Sequence, residues 1–223
     1  MTISTDIHAD QPVLTYGADQ ETAKLAVILL HGRGASAESM LPLVDEIAVK
    51  GVHYRIPQAA QFRWYPQTAF GPIEANEPDL SSALAKLDLI IEELRADGFA
   101  DSQIVLGGFS QGACLASEFV ARNARRYGGL FVLSGALIGP PDTPRNYPGS
   151  LEGTPVFIGG SDIDPWIPDD LQRETADVLE SMGAEVEFKI YDGMPHTVNQ
   201  DEIMRVKELL GRAITSDLNP GIS

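Results

Sequence analysis

Cysteine is almost missing from this sequence: Cys114 stands alone, so no disulfide can close within the chain and the fold must rest on its core. Positive charge is also scarce, with 16 lysines and arginines against 32 aspartates and glutamates and a formal net charge of -16. A surface this acidic repels phosphate backbones and anionic headgroups, which sets nucleic acids and membranes aside as partners. No apolar run approaches the roughly 20 residues that span a bilayer. Met1 to Pro12 has neither a basic stretch nor an apolar one of secretory type, so the expected location is cytoplasmic. Histidine is limited to His8, His31, His53 and His196, which narrows any search for a general base. Repeats and low-complexity tracts do not occur.

What is present is an ordinary globular composition, 43% hydrophobic and 22% charged over 223 residues, which suits one domain with a full core. Its structured part is expected over about residues 22–215. Lys24 to Leu30 (KLAVILL) is nearly continuous in apolar residues, the mark of a strand buried on both faces. Val52–Ile56, Gln103–Phe109, Gly129–Gly135, Pro155–Gly160 and Val186–Tyr191 read as further strands, with Pro12–Tyr16 a short edge strand in an otherwise irregular tail. Between them, helices are predicted over Ser36–Lys50, closed by Gly51, over Pro78–Asp97, after Ser110, and over Asp169–Met182. The last helix is predicted from Asn199, where Glu202 three residues on makes a capping box. Such alternation predicts an α/β fold, a mainly parallel sheet with helices on both faces and ligands at the carboxyl ends of the strands. Gln58–Glu77 and Ala136–Thr154 follow no period, and loops that long inside a domain tend to be functional.

The chemistry gathers around Gly108-Phe109-Ser110-Gln111-Gly112. A serine between a strand end and a helix start must take a left-handed backbone, and the flanking glycines remove the side chains that would collide there. A serine hydroxyl needs a base and a third group to orient that base. His196, just past the last predicted strand, is the candidate base, while His31 reads as a brace for its own loop. The orienting acid is expected in Gly159–Pro168, where Asp162 and Asp164 both qualify; Pro165 restrains the backbone of Asp164, whereas the glycine spacing favours Asp162. Two N–H donors for a developing oxyanion would come from Gln111 and from Arg33, in the glycine-bordered turn His31-Gly32-Arg33-Gly34. The Arg33 side chain could then favour esters with a nearby carboxylate, or simply pair with a surface acid. Trp64, Phe70, Leu137 and Trp166 are candidates for an apolar acyl pocket, or else loop residues packed over the sheet edge.

Leu29–Gly34, Gly107–Gly112, Asp164-Pro165-Trp166-Ile167-Pro168 and Gly193-Met194-Pro195-His196, in this order, resemble the phospholipase/carboxylesterase family, which includes the acyl-protein thioesterases. The resemblance runs from about Lys24 to Leu210. It implies a compact α/β hydrolase with no large cap domain, cleaving short- to medium-chain carboxylic esters with neither cofactor nor metal. It implies Ser110 as nucleophile, His196 as base, Asp164 as acid, and Arg33 and Gln111 as oxyanion donors. A serine carboxylesterase acting on a small-molecule ester through an acyl-enzyme is therefore the expected function. The same residues would serve an acyl-thioesterase or a lysophospholipase, and the same fold could carry a non-catalytic binding protein. Oligomeric state is left open, a homodimer included.

Overall fold

Seven strands form one sheet in the computed structural model, which describes residues 6–216. β1 (Val13–Gly17), β2 (Leu25–Leu30), β3 (Val52–Pro57), β4 (Ile104–Phe109), β5 (Gly129–Leu133), β6 (Pro155–Ser161) and β7 (Glu185–Tyr191) lie in the order β1-β3-β2-β4-β5-β6-β7. β1 runs antiparallel to β3, and every other neighbouring pair is parallel. This is the expected architecture: a mixed, mainly parallel sheet of the α/β-hydrolase type with helices on both sides.

The helices are α1 (Leu41–Ile47), α2 (Asp79–Ala96), α3 (Gln111–Arg122), α4 (Asp169–Ser181) and α5 (Gln200–Ser216). Successive side chains of a strand point to opposite faces, and β2 divides accordingly. Ala26, Ile28 and Leu30 join the core built with α2, α3 and α4, through Leu87, Phe119 and Leu179. Leu25, Val27 and Leu29 join the core under α1 and α5, through Ile47, Val206 and Leu210. With both faces covered, β2 has no solvent side to keep polar, which explains its unbroken apolar run. On the sheet edge, β7 instead alternates Glu185, Glu187 and Lys189 with Val186, Phe188 and Ile190, and such charges discourage edge pairing.

Local expectations differ from the structure in two places. Only a 3₁₀ turn at Glu38–Met40 precedes α1, which stops at Ile47 with Ala48 taking the left-handed cap at φ 47°. Gly51 does not close that helix; its carbonyl accepts the Lys24 and Leu25 N–H groups, so it belongs to the turn leading into β3. At the start of α5 the capping box is complete, with Asn199 N–H on Glu202 Oε2 at 2.8 Å and Glu202 N–H on Asn199 Oδ1 at 2.9 Å.

The chain places β3 on one side of β2 and then crosses to place β4 on the other. The connections after β2 and β4 therefore diverge, opening a crevice at the carboxyl ends of these two strands.

Candidate active site

Ser110 joins β4 to α3 at φ 56° and ψ -122°, a backbone that an L-residue holds only when its surroundings impose it. The glycines around it answer to close packing. A methyl group added at Gly112 would lie 2.3 Å from the Leu30 carbonyl oxygen and 2.6 Å from that of His31, and one at Gly108 would lie 2.7 Å from Leu30 O. These are backbone atoms that no rotamer change can move aside. Gly112→Ala is accordingly expected to cost about 1–3 kcal/mol by overpacking, read as a lower denaturant midpoint at constant m-value. An unchanged midpoint would show that α3 can retreat freely from β2.

His196 lies in the loop after β7 and Asp164 in the loop after β6. Ser110 Oγ is 2.9 Å from His196 Nε2, and His196 Nδ1 is 2.6 Å from Asp164 Oδ2. A carboxylate only accepts, so Nδ1 carries the proton and Nε2 is left to accept from the serine hydroxyl. The Asp164 side chain is fully buried, and its other oxygen accepts the N–H groups of Trp166 and Ile167 at 2.9 and 3.2 Å. Asp162 faces elsewhere: its Oδ1 accepts the Gly193 N–H at 2.7 Å and so ties down the loop that carries His196. Phe109 packs on the imidazole with ring centroids 4.8 Å apart.

The turn after β2 abuts the elbow, since a methyl at Gly32 would lie 3.4 Å from Ser110 Cβ. His31 is fully buried and bonded on both ring nitrogens, Nδ1 to Gly32 O at 2.8 Å and Nε2 to the Ala59 N–H at 3.1 Å. Burial depresses its proton affinity, which keeps it a neutral brace. His8, from the tail that sequence patterning leaves irregular, does the same for the next loop: it accepts the Ala60 N–H on Nδ1 and bonds Trp64 O through Nε2, each at 3.0 Å. Burial lowers its proton affinity too. Gln111 completes the bracing, with Oε1 on the Trp64 N–H at 2.9 Å and Nε2 on Tyr65 O at 2.8 Å. Asn76 supports the far end through Gln67 N–H and Thr68 O. Sequence reasoning missed the roles of His8, Asn76 and the Gln111 side chain, because their partners lie far away along the chain or in loops without a period.

A cavity of about 510 Å³ opens beside Ser110 and His196. Phe70 and Trp166 line it, together with Tyr65, Ala69, Cys114 and Ile167. Trp64 and Leu137 do not. Trp64 is fully buried, with its indole N–H on His31 O at 2.8 Å, so it packs behind the loop. Leu137 is 1% exposed and belongs to the core, its N–H held by Thr175 Oγ1. Cys114 sits one turn along α3 from Ser110 and is fully buried, which pushes its thiol up to about 11 and leaves it without nucleophilic thiolate. Arg33 lines the cavity as well, its guanidinium donating to the carbonyls of Pro66, at 2.8 Å, and Gln67. No carboxylate among the described residues ion-pairs with it, so the surface-acid alternative does not hold.

Comparison with known proteins agrees with this architecture. The phospholipase/carboxylesterase family model matches residues 16–214. A crystal structure of a phospholipase/carboxylesterase from Dyadobacter fermentans is 39% identical, with a TM-score of 0.87 over 90% of this chain and 96% of that one. Acyl-protein thioesterase 1 of Kluyveromyces lactis is 27% identical across 87% of this chain and 94% of its own length. The Bacillus cereus carboxylesterase, 21% identical with a TM-score of 0.73 over 92% of this chain and 95% of that one, shares the fold. The chain belongs to the phospholipase/carboxylesterase family of α/β hydrolases, in the branch that hydrolyses esters and thioesters.

Proposed function

We propose that this chain hydrolyses small acyl esters and thioesters by way of an acyl-enzyme on Ser110. The observation that carries the reading is the continuous row Ser110 Oγ, His196 Nε2, His196 Nδ1, Asp164 Oδ2 at hydrogen-bond distances, set at the mouth of the cavity. In the first step Ser110 Oγ attacks the acyl carbon while its proton passes to His196 Nε2, and the carbonyl oxygen becomes an oxyanion. Gln111 N–H, at the first residue of α3 where no intrahelical acceptor exists, and Arg33 N–H, in the turn against Ser110, are the donors assigned to that charge. Collapse of the tetrahedral species breaks the bond to the leaving group, which takes the proton from Nε2. Water then repeats the sequence on the acyl-enzyme, releasing the acid and restoring the serine. Asp164 holds the imidazole in the required tautomer and stabilises its cationic form.

Both leaving-group classes stand within the reading. The name acyl-protein thioesterase 1 carried by several relatives supports thioesters as substrates, and the cavity beside Ser110 gives an acyl group on either oxygen or sulfur room to bind. A thiol leaves with a pKa near 8.5, so it relies less on protonation by His196 than an alcohol does. We keep a cytoplasmic location in the proposal, on the strength of the single buried cysteine.

The deciding experiment measures kcat/KM on matched oxygen and sulfur esters from acetyl to hexadecanoyl. Turnover of both series is expected, highest for short to medium chains and declining once the acyl group outgrows the cavity. A rate that climbs steadily to hexadecanoyl would replace this reading with a long-chain one. No turnover of any ester or thioester would leave the non-catalytic alternative.

A further inference from the structure

We propose that the Arg33 guanidinium is a carboxylate-binding group of this cleft, so that the preferred substrates are esters carrying a free carboxylate close to the scissile carbonyl. The inference rests on the hydrolase reading above and names its substrate class.

Position comes first. Arg33 follows Gly32, whose backbone lies against Ser110, and its side chain lines the same cavity as Ser110 and His196. Only one side chain's length therefore separates the guanidinium from the N–H assigned to the oxyanion. The fork is also held in place. Donation to Pro66 O and Gln67 O fixes it against the loop, and the remaining three of its five N–H donors find no acceptor among the described residues. A fork immobilised by neutral carbonyls loses less entropy when it takes up a planar anion, which it can meet with two parallel bonds.

Charge points the same way. In a chain of net charge -16, a cation at a site mouth could easily have been given an acidic neighbour, and among the described residues this one bonds two carbonyls and no carboxylate. Its electrostatic neighbours are Tyr65 and Arg63; among the described residues the Arg63 guanidinium bonds the Gln61 side chain, and its buried Nε finds no partner. Desolvation of its guanidinium against the loop draws down the proton affinity of Arg33, Tyr65 opposes that shift, and the Arg63 charge adds to it. A bound anion would offset both the desolvation and the Arg63 charge. Phe70, Trp166, Ile167 and Cys114 give the cavity an apolar side, alongside the polar Gln67 and Thr68, so the cleft suits a substrate with one anionic end and one apolar end.

The test compares aryl half-esters of succinate and glutarate with their methyl-capped counterparts, and O-acetyl lactate with its methyl ester. These pairs place the carboxylate on the acyl and on the alcohol side respectively. In at least one series the free carboxylate is expected to raise kcat/KM about 10- to 100-fold, mostly through KM, as charge-assisted hydrogen bonds of this kind contribute. The preference should shrink with added salt. It should disappear in Arg33→Gln, which keeps a donor for the loop carbonyls without the charge, and persist in part in Arg33→Lys. Should Arg33→Gln fail to fold, succinate against the wild-type protein decides: competitive inhibition by succinate but not by succinamide supports the site, and no inhibition by either overturns it. A ratio near one in both series for the wild type, or an equal ratio in Arg33→Gln, also overturns it. Ser110-dependent turnover of the neutral esters in that case would leave the hydrolase reading standing, whereas no turnover of any ester would remove both.

Discussion

Ser110→Ala should fold like its parent and lose turnover by a factor on the order of 10⁶, the loss known for nucleophile removal where serine and histidine act as one unit. The variant removes one hydroxyl that donates only to His196 Nε2. The left-handed backbone at φ 56° is imposed by the packing of α3 on β2 through Gly108 and Gly112, and that packing is unchanged. Stability should therefore move little, while covalent labelling by a fluorophosphonate should vanish. Folding and activity are read separately, by thermal denaturation and by burst kinetics on an activated ester. Persistent labelling in the variant would assign the nucleophile elsewhere, and Cys114, fully buried with its thiol raised to about 11, is a poor substitute.

Asp164→Asn should lose about 10⁴ in kcat, the effect of an acid that fixes an imidazole tautomer, while Asp162→Asn loses little. The structure supplies the reason for the difference. Asp164 Oδ1 accepts the Trp166 and Ile167 N–H groups, and in the variant the amide oxygen must keep those bonds. Its NH2 group is then turned toward His196 Nδ1. Two donors cannot share that contact, so the ring shifts its proton to Nε2 and can no longer accept from Ser110. Asp162 uses only an acceptor oxygen, toward Gly193 N–H, and asparagine preserves an oxygen there. Single-turnover rates on the two variants check this directly. Reversed losses would move the role to Asp162, and two small losses would mean that neither aspartate orients the histidine.

Much of the fold could be read locally. The buried run Leu25–Leu30, the amphipathic stripe of α2 and the Asn199–Glu202 box each depend on residues within a few turns of one another, and periodicity or capping chemistry records such contacts directly. The strand-turn-helix at Ser110 was legible for the same reason. Where local signals competed, they misled: Ala48 accepted a left-handed cap that glycine usually takes, and Gly51 was needed for the turn beyond it.

By itself, then, the order of residues determined the α/β alternation, the elbow at Ser110, and the short set of histidines and aspartates from which a site could be built. Only the tertiary structure decided which of them meet. It brought Asp164 rather than Asp162 to His196, made His8 a second brace beside the expected one of His31, turned Trp64 and Leu137 into the core, and left Arg33 in the cleft with no ion-pairing acid among the described residues. The physical reason is one of range and direction. Helix and strand periods dictate where a side chain points, but an irregular loop such as Gln58–Glu77 has no period. It is held by hydrogen bonds to residues tens of positions away, as at Trp64, whose carbonyl bonds His8, whose backbone N–H donates to Gln111 and whose indole N–H donates to His31 O.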